Sequence, residues 1–274
     1  HFGKWHLGTM TKTIKDSNRG GSKNAKHYSP PSQHGFHFHY ATEAKVPTFD
    51  PLLKPGNARR TYWLPIEPDA VVGPYGTRYW SKGKVVESEL RGDDSEIIMN
   101  EALNFIEKNN KSPFLSVIWF HAPHLPVVAS DSDRAAFKNL DPYSQSYFGC
   151  IRALDRQVGR LRKHLRQTGL AKNTILFFCS DNGPEGNQSA PGSAAPLRGR
   201  KRSFYEGGIR VPGIIEWPDQ IPTAVITDFP AVTSDYLPTL LDITGGSLPD
   251  ERPLDGISLL PLIKNPKLLV RDNP

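Results

Sequence analysis

A layered α/β fold is predicted for this chain on three observations. Helix and strand signals alternate from residue 93 onward, and short apolar runs of strand length stand between amphipathic helices. Polar, chemically capable residues follow two of those runs directly, where ligands gather beyond the carboxyl ends of strands in open α/β sheets.

The first helix opens at Asp93-Asp94-Ser95, which supply an N-cap and negative charge. It carries Ile97, Ile98, Leu103 and Ile106 and is expected to stop near Asn109-Asn110, before Pro113. Phe114–Phe120 is an apolar run of the kind a fully buried strand needs. In the second helix, Ile151, Leu154, Val158, Leu161 and Leu165 step by three and four and so mark one buried face, with Gly169 placed to end it. Thr174–Cys179 and Gly213–Trp217 read as further buried strands. Ser234-Asp235 is expected to cap a helix running through Leu237, Leu240 and Leu241 to Gly245-Gly246. Upstream, residues 11–92 are rich in Pro, Gly, Lys and Ser. There Asn57–Arg60 and Pro65–Pro74 read as loops, and Arg78–Glu87 as a hairpin turning at Lys82-Gly83.

With 274 residues, 37% of them hydrophobic, the chain can bury a core as one large domain or two small ones. Its longest apolar runs fall well short of the ~20 residues a bilayer span needs, which excludes a transmembrane segment. Lys+Arg 34 against Asp+Glu 28 leaves a charge of +6, which favours anionic partners or is ordinary solvated charge. Cys150 and Cys179 are too few for a disulfide framework and lack C-x-x-C spacing, so they leave the redox compartment open.

Four clusters carry the chemistry. Phe114–Phe120 runs into His121-Ala-Pro-His124-Leu-Pro126, where His121 and His124 compete for a role. Thr174–Cys179 runs into Ser180-Asp181-Asn182-Gly183; Asp181 and Asn182 are hard oxygen ligands suited to Ca²⁺ or Mg²⁺, or else a plain turn. Gly3-Lys4-Trp5-His6-Leu7-Gly8 sets Lys4 and His6 two apart, on one face if the backbone is extended, where both could grip a tetrahedral anion. The fourth cluster, Arg198–Pro212, is basic. It is short and leads into a Gly-Gly turn and an apolar strand, which argues against a nucleic-acid patch.

In order, His1–Gly8 (HFGKWHLG), His121–Pro126 (HAPHLP), Ser180–Glu185 (SDNGPE), Lys201–Pro212 (KRSFYEGGIRVP), Asp235–Gly245 (DYLPTLLDITG) and Leu254–Leu262 (LDGISLLPL) resemble the type I sulfatases of the alkaline phosphatase superfamily. The resemblance implies that family's α/β/α sandwich, truncated at both ends. Residues 1–264 would be a partial catalytic domain with 11–92 as a loop-rich insertion, and 265–274 a shortened tail. It also implies a sulfuric ester hydrolase acting on sulfated small molecules or polysaccharides, in the periplasm, outside the cell or in the lysosome.

Further roles rest on the same resemblance. Lys4 and Lys201 would hold the sulfate oxygens, and His6 would take the nucleophile's proton. His124 would contact the sulfate and help the leaving oxygen depart. Asp181 and Asn182 would complete a Ca²⁺ site, while Trp5, Glu206 and Arg210 would be scaffold. The family's nucleophile is formylglycine, made from the cysteine of a C-x-P-x-R stretch, and a paired Asp-Asp supplies further metal ligands. Neither Cys150 nor Cys179 fits that stretch, and Asp93-Asp94 lies in the wrong order to be the pair. Both elements are therefore expected upstream, leaving this chain inactive alone. The rival readings are a phosphomonoester or phosphodiester hydrolase of the same superfamily, and a non-catalytic module that binds sulfated glycans. Asn110 and Asn187 head N-glycosylation acceptor triplets.

Overall fold

The computed structural model describes every residue except 18, 57–63, 66–69, 71, 187–189, 268–270 and 272–274. The expected loop Asn57–Arg60, much of Pro65–Pro74, the Asn187 triplet and most of the tail after residue 267 lie outside the described residues.

A five-stranded mixed sheet, ordered β4-β3-β2-β1-β5, forms the centre. Strand β1 (Phe2–Lys4) runs parallel to β2 (Tyr40–Thr42) on one side and to β5 (Ile118–Trp119) on the other. Strands β3 (Tyr79–Ser81) and β4 (Lys84–Val85) extend it antiparallel. The hairpin joining them turns at Lys82 (φ 50°) and Gly83 (φ 74°), the paired positive φ whose twist matches a two-residue hairpin. Residues 11–92 thus contribute three strands, of which only the hairpin was visible in the sequence pattern.

Helix α1 (Asp94–Asn109) starts where expected: the Asp93 carboxylate accepts the Glu96 N–H at 3.0 Å. It buries Ile98, Met99, Ala102 and Ile106 with Phe2, Tyr40 and Tyr79 of the sheet and with Leu161 and Leu165. A short helix α2 (Asp131–Ala135) precedes α3 (Pro142–Gln167), which is capped by Asp141 and followed by Gly169 at φ +75°. The buried stripe of α3 is rotated from the one predicted. Gly149, Cys150, Ala153, Gln157, Leu161 and Leu165 face inward, while Ile151, Leu154 and Val158 are only half-buried. Close approach to the α2 region explains the rotation, since a Cβ on Gly149 would lie 2.8 Å from the Ala129 side chain.

Strands β6 (Leu176–Cys179) and β7 (Gly213–Glu216) form a separate antiparallel pair that, among the described residues, does not join the central sheet. Expected to be fully buried, both are at best half-buried; of the expected strand Phe114–Phe120 only the two residues of β5 form a strand, with Leu115 before it 61% and Trp119 44% exposed. The physical reason is edge position: among the described residues β5 pairs only with β1, and β6 only with β7. Arg162 and Arg166 of α3 tie the small sheet to the body through Glu216.

Three short α-helices follow among the described residues, α4 (Glu206–Ile209), α5 (Tyr236–Thr244) and α6 (Leu260–Lys264). Gly245, left-handed at φ +69°, ends α5 as expected. Asp235 does not cap α5 with its side chain; it is a buried acceptor for Val232 N–H, Ile257 N–H and the Arg271 guanidinium. Leu237 lies largely exposed, and the buried residue of the helix is Thr239. Among the described residues no helix is long and apolar enough to cross a membrane.

Candidate active site

Strand β1 delivers Lys4, half-buried at its carboxyl end. The alternation argument for His6 does not hold, because His6 is outside the strand with φ 53°, in the left-handed region. A turn, and not strand alternation, sets where its ring lies, within range of the Lys4 charge. Trp5 between them is buried, with its indole N–H donating to Ser29 O at 2.6 Å, a scaffold position.

The two histidines after β5 separate cleanly. His121 is buried: Nδ1 bonds the Asp94 carboxylate at 2.7 Å, Nε2 lies 2.9 Å from the Thr42 hydroxyl, and Tyr79 donates to the same Asp94. It locks the strand exit onto α1 and β2. His124 N–H donates to His121 O at 2.7 Å, so the loop carrying His124 hangs from this buried network. Its ring Nδ1 donates to Leu125 O at 2.7 Å. A neutral His124 therefore keeps its lone pair on Nε2.

Asp181 and Asn182 follow β6, with Ser180 Oγ donating to Asn182 O and Asn182 Nδ2 to Gly183 O. Gly183 N–H donates to Gly208 O at 2.9 Å, and a Cβ at Gly183 would sit 1.9 Å from Gly207 O. Only glycine allows this approach. It draws the basic loop across the exit of β6, and Lys201 N–H bonds Pro184 O. Lys201 Nζ lies 3.5 Å from the Glu185 carboxylate, which Arg202 also grips at 2.6 Å. The Arg202 hydrogen bond, ahead of other causes, holds the Glu185 carboxyl below its usual range. Glu206 and Arg210 pair at 3.7 Å on the exposed surface.

Charge couples these residues into one neighbourhood. Burial, then Lys201 and Lys45, push the Lys4 ammonium pKa down, and Asp181 pulls it the other way. Burial first, then Lys4, Arg19 and Lys201, lower His6. Burial, then Lys4, Lys201 and Lys45, bring His124 down to about 4. Both imidazoles are thus biased toward the neutral form within range of Lys4 and Lys201, a grouping whose chemistry suits an oxyanion. Lys45, exposed just beyond β2, had no motif to announce it, and its only signal in sequence is its distance of three residues from Thr42.

Asp181 and Asn182 are the right kind of donor for a hard cation and too few in number. Calcium takes six to eight oxygens, and no group of three or more His, Cys, Asp or Glu among the described residues could hold an ion. Neither cysteine is placed as a nucleophile: Cys150 is buried with its thiol pKa pushed up by that burial, and Cys179 lies inside β6.

Comparison with known proteins follows the same outline. The Sulfatase family model matches residues 1–247. Arylsulfatase H of Canis lupus familiaris is 32% identical over 203 residues, covering 69% of this chain and 35% of that protein. N-acetylgalactosamine-6-sulfatase of Sus scrofa is 30% identical over 276 residues, covering 98% of this chain and 47% of that protein. A crystal structure of Ps i-CgsB in complex with k-i-k-neocarrahexaose superposes with a TM-score of 0.73 and 28% identity over 95% of this chain and 53% of that one. The chain thus spans a third to about half of the length of these relatives, and on a match extending over most of its residues it belongs to the sulfatase family.

Proposed function

We propose that the protein acts as a sulfuric ester hydrolase on sulfated sugars or polysaccharides, with calcium as its metal, in a periplasmic, secreted or lysosomal setting. The observation that carries the reading is the shared electrostatic neighbourhood of Lys4, Lys201, His6 and His124. The neocarrahexaose in the Ps i-CgsB structure supports a sugar substrate.

Lys4 and Lys201 bind the sulfate oxygens and lower the cost of the charge that builds on them in the transition state. His124, once protonated on Nε2, gives that proton to the leaving oxygen as the S–O bond breaks. His6 serves as the opposite partner and accepts the proton of the attacking group. Asp181 and Asn182 would be two ligands of the metal, whose chemistry is to polarise the ester. The attacking group itself is not among these residues, because neither Cys150 nor Cys179 lies in a C-x-P-x-R stretch.

The test is hydrolysis of 4-nitrophenyl sulfate and 4-nitrophenyl phosphate by this chain and by a version extended N-terminally. Sulfate turnover by the extended protein alone is expected. Equal rates from both would show that a nucleophile lies within residues 1–274, and preference for the phosphate ester would overturn the sulfatase activity.

A further inference from the structure

We infer that Arg19 and Glu43 are positioning residues for His6, holding its backbone in the left-handed conformation that sets the direction of its ring; this rests on the role proposed for His6 above. The observation is a closed ring of hydrogen bonds. His6 N–H donates to Glu43 O at 3.0 Å. His6 O accepts from Arg19 Nη2 at 2.9 Å. Arg19 Nε in turn donates to Glu43 Oε1 at 2.6 Å. Both backbone polar groups of His6 therefore terminate on the same two residues.

The conformation needs such support. His6 is not glycine, and at φ 53° its Cβ crowds its own backbone, so the turn persists only where the surroundings over-determine it. Glu43 supplies the fixed point: its side chain is fully buried, and its backbone follows β2, which pairs with β1 in register Lys4↔Thr42. Arginine suits the bridging position because its planar fork presents Nε and Nη2 in two fixed directions, where a lysine ammonium is a single point. Arg19, Glu43 and His6 are far apart in sequence and carry no shared motif.

The experiment has two readouts. In the N-terminally extended protein, Arg19→Ala is expected to lower kcat for 4-nitrophenyl sulfate about 100-fold, the scale of a misplacement of roughly 1 Å, with KM changed less than about twofold. Arg19→Lys keeps the charge without the fork and should recover only part of the loss. Glu43→Gln keeps an oxygen for Arg19 Nε and should lose less than Arg19→Ala. Independently of activity, the φ of His6, read from backbone chemical shifts or a crystal structure, should leave the left-handed region in Arg19→Ala. Should that variant fail to fold, Arg19→Lys carries both readouts. An unchanged φ, or parental kcat in a folded Arg19 variant, overturns the proposal. A parent without sulfate turnover overturns the hydrolase reading, and the φ of His6 still decides the clamp.

Discussion

In the role proposed for His124, Nδ1 is already committed to Leu125 O, so Nε2 would have to be loaded with a proton before serving a leaving group. In the free protein burial and three lysines oppose that loading and hold its pKa near 4. The folded value lies below the unfolded one of 6.5. The associated stability is present above pH 6.5 and is lost as pH falls toward 4. An anion seated between Lys4 and Lys201 offsets their push, so binding should draw a proton onto the histidines. Affinity for inorganic sulfate is expected to rise as pH falls from 7 to 5, with a binding enthalpy that varies with the buffer's ionisation enthalpy. His124→Gln should flatten both trends, and a pH-independent affinity in the parent would reject the linkage. Lys45 is exposed and ranks behind Lys4 and Lys201 in lowering His124, so its effect is smaller. Lys45→Ala should weaken sulfate binding about two- to fivefold, the scale of ~0.4–1 kcal/mol for a solvated charge, without moving the thermal midpoint. An unchanged sulfate titration would remove it from the site.

Among the elements, what was legible in sequence is what is decided locally. The Asp93 cap of α1, the left-handed glycines after α3 and α5, and the Lys82-Gly83 hairpin each depend on a few adjacent residues. Strands β1 and β2 escaped notice because three residues are too few to show a period. The rotated stripe of α3, the Asp235–Arg271 pair and the Arg19–Glu43 pair arise from partners distant in sequence, as does the influence of Lys45 on His124. The cap of α1 also has an energetic cost that its sequence does not reveal. Burial, then the neighbouring Asp94 charge, raise the Asp93 carboxyl to about 7. The folded state then holds a proton that the unfolded state releases between about pH 4 and 7, so stability declines as pH rises through that window. Asp93→Asn retains the capping oxygen and removes the charge. Its thermal midpoint at pH 8 should exceed the parent's by a few degrees, at roughly 2–4 °C per kcal/mol, with the slope between pH 4 and 7 reduced. A lower midpoint at pH 8 would show that the ionised cap is worth more than its burial costs.

Across the whole molecule, the proposed site would draw on two sheets. Lys4, His6 and His124 come from the ends of the five-stranded sheet, and Asp181, Asn182 and Lys201 from loops beside the β6–β7 pair. With two oxygen-bearing side chains and one negative charge, Asp181 and Asn182 should bind Ca²⁺ in this chain only in about the millimolar range or weaker. Calorimetric titration checks this, and micromolar binding would mean that a complete site exists here. The division has a kinetic corollary too. In the proposed site an anion spanning Lys4 and Lys201 would tether two separately hydrogen-bonded units and act as a strut between them. Saturating sulfate should then slow deuterium uptake along Leu176–Cys179 and Gly213–Glu216, while the amides of β3 and β4, remote from the seam, exchange at their former pace.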